Sequence, residues 1–252
     1  TQMAVPLFAE KIVEMGVNDN NRAEILARFA DDADYLQRFK GAFPDEVTPV
    51  TFDNIIKAIS TFQRGLLTGN SKLERYQRGE VSLTAAEQRG RLLFNGEKAE
   101  CFHCHGSFNF NDQVTYVGKR FEENLFHNTG LYNVGGTGDF PANNQGLYDF
   151  TGRQTDKGLF RAESLWNVAL TAPYMHDGSI ATLEEVVDFY SEGGRNITTG
   201  PYAGDGRFSP NKSDLIVRID FTEQEKSDLI AFLKTLTDET IATNERYSNP
   251  FK

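Results

Sequence analysis

The stretch Cys101-Phe102-His103-Cys104-His105 decides how this chain is read. It holds both cysteines of the 252-residue sequence, three positions apart, with a histidine directly after the second. Two thiols at that spacing in a tight turn reach one edge of a porphyrin and can add to its vinyl groups. The adjacent imidazole then meets the iron from the same face. The pattern predicts one covalently attached haem c on Cys101 and Cys104, with His105 as the proximal iron ligand. A thioredoxin-type pair would need a βαβ setting, and the surrounding pattern offers none. A structural zinc site would need four ligands. Only His127 and His176 remain outside the motif, and nothing in the sequence places them beside the thiols. His103, inside the motif, reads as a solvent-facing spacer.

Working outward, helical periodicity dominates and strand signals are few. Residues 22–39 carry Ile25, Leu26, Phe29, Tyr35, Leu36 and Phe39 at helical spacing, and 51–67 repeat it with Phe52, Ile55, Ile56, Ile59, Phe62 and Leu66. A polar stretch at 68–80 reads as a linker or domain boundary. A helix then opens at Ser82 or Thr84, with Glu87 completing a capping box, and runs to Phe94 just ahead of the motif. Residues 106–160 are rich in Gly, Asn and Asp, as expected of a long loop that wraps a cofactor. Two further helices are predicted at 182–190 and 222–236, capped by Thr182 and by the Thr222/Glu225 pair. A helix, then Cys-x-x-Cys-His, then a ligand-bearing loop and a C-terminal helix is the layout of a cytochrome c domain. The predicted class is all-α, a cytochrome c-like haem domain at 81–252 preceded by helical residues 1–80.

The formal net charge is −10, which argues against a nucleic-acid partner, since phosphate binding needs surplus Lys and Arg. No run approaches the roughly 20 apolar residues of a membrane span. The chain opens on Thr1 without an initiator Met or a charged-then-apolar leader, and is expected to be a mature or truncated product. Covalent haem attachment takes place outside the cytoplasmic membrane, so a periplasmic location is expected.

The stretch Glu163-Ser-Leu-Trp-Asn-Val-Ala-Leu-Thr-Ala-Pro-Tyr-Met-His-Asp-Gly-Ser-Ile-Ala-Thr-Leu-Glu-Glu-Val-Val-Asp-Phe-Tyr190 resembles the C-terminal domain of bacterial di-haem cytochrome c peroxidases and MauG. Ala58-Ile-Ser-Thr-Phe-Gln-Arg-Gly-Leu66, Asn70-Ser-Lys-Leu-Glu-Arg-Tyr76 and the opening Gln2 to Gly16 are similar to the same family. The tail Arg246-Tyr-Ser-Asn-Pro-Phe251 looks closest to its MauG-like branch, which includes tryptophan-oxidising partner enzymes of copper-peptide pathways.

The resemblance implies two haems, of which this chain binds one. The peroxide-reacting haem would lie ahead of Thr1, so residues 1–80 would be the remainder of the first haem domain. Gln2, Pro6 and Glu14 would line that haem's distal pocket, with Glu14 as proton-transfer group. For the haem at His105 the resemblance points to Tyr190 as distal ligand, in the position where peroxidases carry Met. Met175 stays open as the alternative, since a thioether is the usual sixth ligand of electron-transfer cytochromes. Arg161 and His176 would support the haem and its propionates. The backbone carbonyls of Thr171 and Pro173 would help hold a Ca²⁺, whose oxygen preference they match. Trp166, the only tryptophan, reads as a packed aromatic or an electron relay. The implied activity is oxidation of a protein or small redox donor by hydrogen peroxide. A mono-haem electron-transfer cytochrome c and a haem-bearing structural subunit remain as alternatives.

Overall fold

The computed structural model describes residues 3–9, 14–112, 117–118 and 125–249. The class is all-α, with one short two-stranded ladder. The chain divides between Leu67 and Thr68 into two compact units.

The first unit contains α1 (Ala4–Phe8), α2 (Arg22–Ala30), α3 (Ala33–Ala42) and α4 (Phe52–Gly65). The single helix expected over 22–39 is two helices. Asp32 adopts an extended backbone, and its carboxylate accepts from the Asp34 and Tyr35 amides, both at 3.0 Å. It starts a new helix instead of continuing the old one. Thr51 caps α4 as expected, accepting from the Asn54 N–H at 3.2 Å. Leu7, Val17, Phe39, Val50, Phe52 and Ile55 form this unit's core.

The second unit holds α5 (Lys72–Gln77), α6 (Ala85–Phe94), α7 (Phe102–His105), α8 (Tyr148–Thr151), α9 (Leu183–Glu192), the antiparallel pair β1 (Asn196–Ile197) and β2 (Gly204–Asp205), α10 (Glu223–Lys234) and α11 (Glu239–Thr243). The division falls at the start of the stretch 68–80, ahead of the expected boundary at 80, and the stretch itself is not a linker but part of the second unit. Ser71 and Glu74 form a capping box that starts α5. Leu73 is buried in the second unit's core, and its N–H donates to the Thr235 carbonyl at 3.0 Å. Reciprocal capping boxes also start α6 (Thr84/Glu87), α9 (Thr182/Glu185) and α10 (Thr222/Glu225). Each satisfies two backbone amides that a helix start leaves without partners.

α6 and α10 are the pair that crosses. At Gly90 a Cβ would lie 1.9 Å from the Asp228 carbonyl oxygen and 2.9 Å from the Phe232 Cβ, so only glycine permits this approach. One residue away, Arg89 makes a bidentate pair with the buried Asp228 carboxylate at 2.7 and 2.8 Å. Below the crossing, Phe94, Phe232 and Leu236 are almost fully buried beside Leu73, Leu183, Val187 and Leu229. Each such side chain contributes about 1.5–3 kcal/mol of burial. A second cluster of Leu131, Tyr132, Phe140, Ile180 and Phe189 packs under the long loop and the start of α9.

The start of this unit is tied to its end through Asp238. Its carboxylate accepts from the Gly69 and Asn70 amides at 3.1 and 3.0 Å and from Thr240 at 2.6 Å. Burial alone would raise this carboxyl, but those hydrogen bonds outweigh it and hold the pKa at about 2, against an ordinary 3.8. A depressed folded-state pKa means stabilisation that is complete above pH 3.8 and lost as pH falls through about 2. Asp238→Asn should therefore lower stability by about 2 kcal/mol at pH 7. In denaturant titrations across pH, the gap between variant and wild type should close as the acid limit is approached.

Candidate functional site

α7 is a single helical turn, and its hydrogen bonds fix the motif's geometry. The His105 and Cys104 amides both donate to the Cys101 carbonyl, at 3.0 and 3.3 Å. Positions i, i+3 and i+4 of one turn share a face, so Cys101, Cys104 and His105 all line one cavity of about 480 Å³. That volume falls within the roughly 300–1,000 Å³ of ligand and cofactor sites. The two thiols are not joined in a disulfide. Burial pushes the Cys101 thiol up to about 12, so it enters the cavity neutral.

The imidazole is oriented by a neighbour far less conspicuous than the motif. His105 Nδ1 lies 3.0 Å from the Phe110 carbonyl oxygen. A carbonyl can only accept, so Nδ1 carries the proton and Nε2 keeps its lone pair for a metal. Burial lowers the imidazole's pKa, against the opposing pull of the Phe110 and Glu163 carbonyls, and favours the neutral form that ligates iron. Phe110 is itself held at a positive φ of 48° by its packing. Its ring meets Phe94 at 5.8 Å and Trp166 edge-on at 5.1 Å. Trp166 is pinned in turn, its indole N–H donating to the Phe108 carbonyl at 3.3 Å.

α9 supplies a second wall of the cavity. Leu183, Val186, Val187 and Tyr190 recur at helical spacing and all line it. Tyr190 ends that stripe one turn before the left-handed cap at Gly193. Its residual exposure is to the cavity itself. Burial raises the phenol's pKa well above its ordinary value, with the two cysteine thiols adding to the effect. Among the described residues its hydroxyl has no hydrogen-bond partner.

The cavity also brings together Arg161, Thr171, Pro173, Met175 and His176. Met175 reaches it from a loop residue with φ 69°. His176 stacks on Phe160 at 3.7 Å and 13°, and burial lowers its pKa. Arg161 is exposed at the cavity margin, a placement that suits a propionate partner. His127 also lines the cavity, whereas His103 is exposed. Pro6 lies within α1 and Glu14 is exposed, both in the first unit, and neither lines this cavity. Gln2 falls outside the described residues. The residues present fit a haem. Two thiols, one pre-oriented imidazole and a phenol without a hydrogen-bond partner among the described residues line one largely apolar cavity.

Sequence reasoning did not find two participants, the Phe110 carbonyl and the hydrogen bond from Tyr132 to Asp177 at 2.6 Å. The first is a backbone group that residue identity does not announce. The second joins positions 45 apart.

A helical fold around this donor set defines a c-type cytochrome. A family model for di-haem cytochrome c peroxidase matches residues 1–82. The chain is similar to the crystal structure of a MauG-like protein associated with microbial copper homeostasis, with TM-score 0.92 and 58% identity, covering 100% of this chain and 72% of that one. It is 33% identical over 237 residues to the cytochrome-c peroxidase IdrP1 of Denitromonas iodatirespirans, covering 88% of this chain and 58% of the relative. It is 31% identical over 209 residues to the methylamine utilization protein MauG of Methylorubrum extorquens, covering 82% and 50%. The chain belongs to the di-haem cytochrome c peroxidase and MauG family. It spans 58% and 50% of the length of these two curated relatives.

Replacing both Cys101 and Cys104 with Ala should leave any haem held through His105 alone. Acid–acetone extraction of the holoprotein should then release the haem into the organic phase, while wild type retains it with the polypeptide.

Proposed function

We propose that this chain is the second-haem portion of a MauG-like di-haem peroxidase, located in the periplasm. The observation that carries the reading is Tyr190, presented to the cavity at the end of the α9 stripe without a polar partner. Bound haem would supply one-electron chemistry, taking up oxidising equivalents generated from hydrogen peroxide at a haem outside these 252 residues and drawing electrons from a protein or small redox donor. Cys101 and Cys104 would anchor it and His105 Nε2 would be its proximal ligand.

Burial favours the neutral phenol at Tyr190, so a phenolate is stable there only beside a strong positive charge such as ferric iron. A hard anionic ligand in turn favours the higher oxidation state, and a thioether from Met175 would favour the lower. Tyr190 is therefore the distal ligand of choice for a haem that stores oxidising equivalents, with Met175 packing at the haem edge. Arg161 and His176 would hold the propionates. The Thr171 and Pro173 carbonyls would contribute to a Ca²⁺ site completed by residues outside this chain. In the first unit Glu14, with Gln2 and Pro6, would serve the peroxide-reacting haem, the carboxylate moving a proton between peroxide oxygens. The copper association of the 58% identical relative supports a copper-handling setting.

Pyridine haemochrome analysis of the full-length protein, referenced to polypeptide mass, should give two haems per functional unit. One haem with no companion haem polypeptide would mean a mono-haem electron-transfer cytochrome instead. For the ligand, Tyr190→Phe should alter the ferric EPR signal and the visible spectrum, whereas Met175→Leu should leave both unchanged. An unaltered spectrum in Tyr190→Phe would remove Tyr190 as the ligand.

A further inference from the structure

The cavity wall formed by Phe140, Phe160 and His176 has a tyrosine directly behind it. The Tyr132 ring meets Phe140 edge-on at 5.5 Å. On its far side it meets Tyr202 edge-on at 5.9 Å. Tyr132 is 6% exposed and Tyr202 is 44% exposed, so this pair spans from the cavity wall to solvent. The Tyr132 hydroxyl donates to Asp177 Oδ2 at 2.6 Å, while Asp177 Oδ1 accepts from the Ser179 amide at 3.0 Å. The Arg195 guanidinium lies over the same ring at 4.6 Å and is fixed by Ser179 Oγ at 2.8 Å and the Leu131 carbonyl at 3.2 Å.

These contacts restrict what the phenol can do. A cation above the ring disfavours a tyrosine radical cation, by the same electrostatics that favour cation–π contact with the neutral ring. Loss of an electron must then be accompanied by loss of the phenolic proton. A buried hydroxyl aimed at an ionised carboxylate has its proton acceptor already in place. Asp177 is held in the ionised form, because hydrogen bonds from Tyr132 and Ser179 outweigh the opposing effect of burial.

We infer that Tyr132 and Tyr202 form an electron-entry relay between the protein surface and the haem cavity, with Asp177 as the proton acceptor of the buried step. The inference rests on the peroxidase reading, which supplies the oxidant. Tyr132 gives one electron to the oxidised haem, its O–H bond breaks, and an O–H bond forms on Asp177. Tyr202 then gives one electron to the Tyr132 radical, which takes its proton back from Asp177, while Tyr202 releases its own proton to solvent. A one-electron donor docked over Tyr202, with a proton returned from solvent, restores it. Hydrogen peroxide takes two electrons and two protons to become two waters, so each peroxide drives the relay twice.

The test uses the full-length holoprotein with hydrogen peroxide and a nitroso spin trap, mapping adducts by mass spectrometry while recording the haem absorption. Wild type should carry adducts on Tyr202. Tyr132→Phe, which keeps the ring and removes only the hydroxyl, should lose them, and Tyr202→Phe should move them to Tyr132. Asp177→Asn should delay their appearance. If the haem absorption changes with peroxide but Tyr132→Phe leaves the Tyr202 adduct intact, or if neither tyrosine is labelled, the relay is wrong and the peroxidase reading stands. If peroxide leaves the haem absorption unchanged, the peroxidase reading fails and takes the relay with it.

Discussion

The close crossing of α6 and α10 at Gly90 is the constraint from which the site is built. With no side chain at Gly90, the Asp228 backbone approaches α6 closely enough for Phe94 and Phe232 to meet at 5.2 Å. Phe110 packs against both, at 5.8 and 6.2 Å. Its carbonyl is thereby held where His105 Nδ1 needs an acceptor. One backbone approach is thus transmitted through three phenylalanines to the tautomer of a prospective iron ligand. The Arg89–Asp228 pair reinforces the crossing, since the acid is buried and would be costly to leave without a partner.

The cavity's electrostatics follow from the same packing. Its thiol, imidazole and phenol are all driven toward neutral forms by burial. Without a cofactor this avoids uncompensated charge in an apolar space. In the proposed reading a bound ferric haem would bring in a positive centre, and the Tyr190 phenol on α9 would become its anionic counterpart. The exposed margin, where Arg161 lies, is left for charged propionates. Neutral donors inside and a cation at the rim are the distribution that an amphipathic macrocycle requires.

Much of this was legible in the sequence, for identifiable reasons. The motif is local and chemically specific, so five residues predicted the cavity's first wall. The capping boxes at Thr84 and Thr222 and the cap at Thr182 appear where they were read, because each is a short-range pattern. The break at Asp31–Asp32 was obscured by apolar residues that keep helical spacing across it, although Asp32 is itself a capping residue. The polar stretch at 68–80 hid a helix whose one fully buried apolar anchor is Leu73, with partners near the chain's other end. The Phe110 carbonyl and the Tyr132–Asp177 pair are contacts made by the fold, and no local spacing encodes them.

The distal ligand and the relay make demands on each other. A phenolate stabilises the oxidised haem, which lowers the haem's power to take an electron from a neutral phenol. Such a haem would act as a store of the oxidising equivalent. Discharge in one chosen direction then needs a phenol that is easier to oxidise than its neighbours. Ready proton loss is the property that distinguishes one tyrosine from another, because the radical is stable only without the proton. Among the tyrosines packed around this cavity, Tyr132 has a carboxylate at hydrogen-bond distance, whereas Tyr174 donates to the Val168 carbonyl, a far weaker base. In the proposed reading the anionic ligand and the carboxylate-bound tyrosine would be two halves of one arrangement, one holding the oxidising equivalent and the other setting where it leaves.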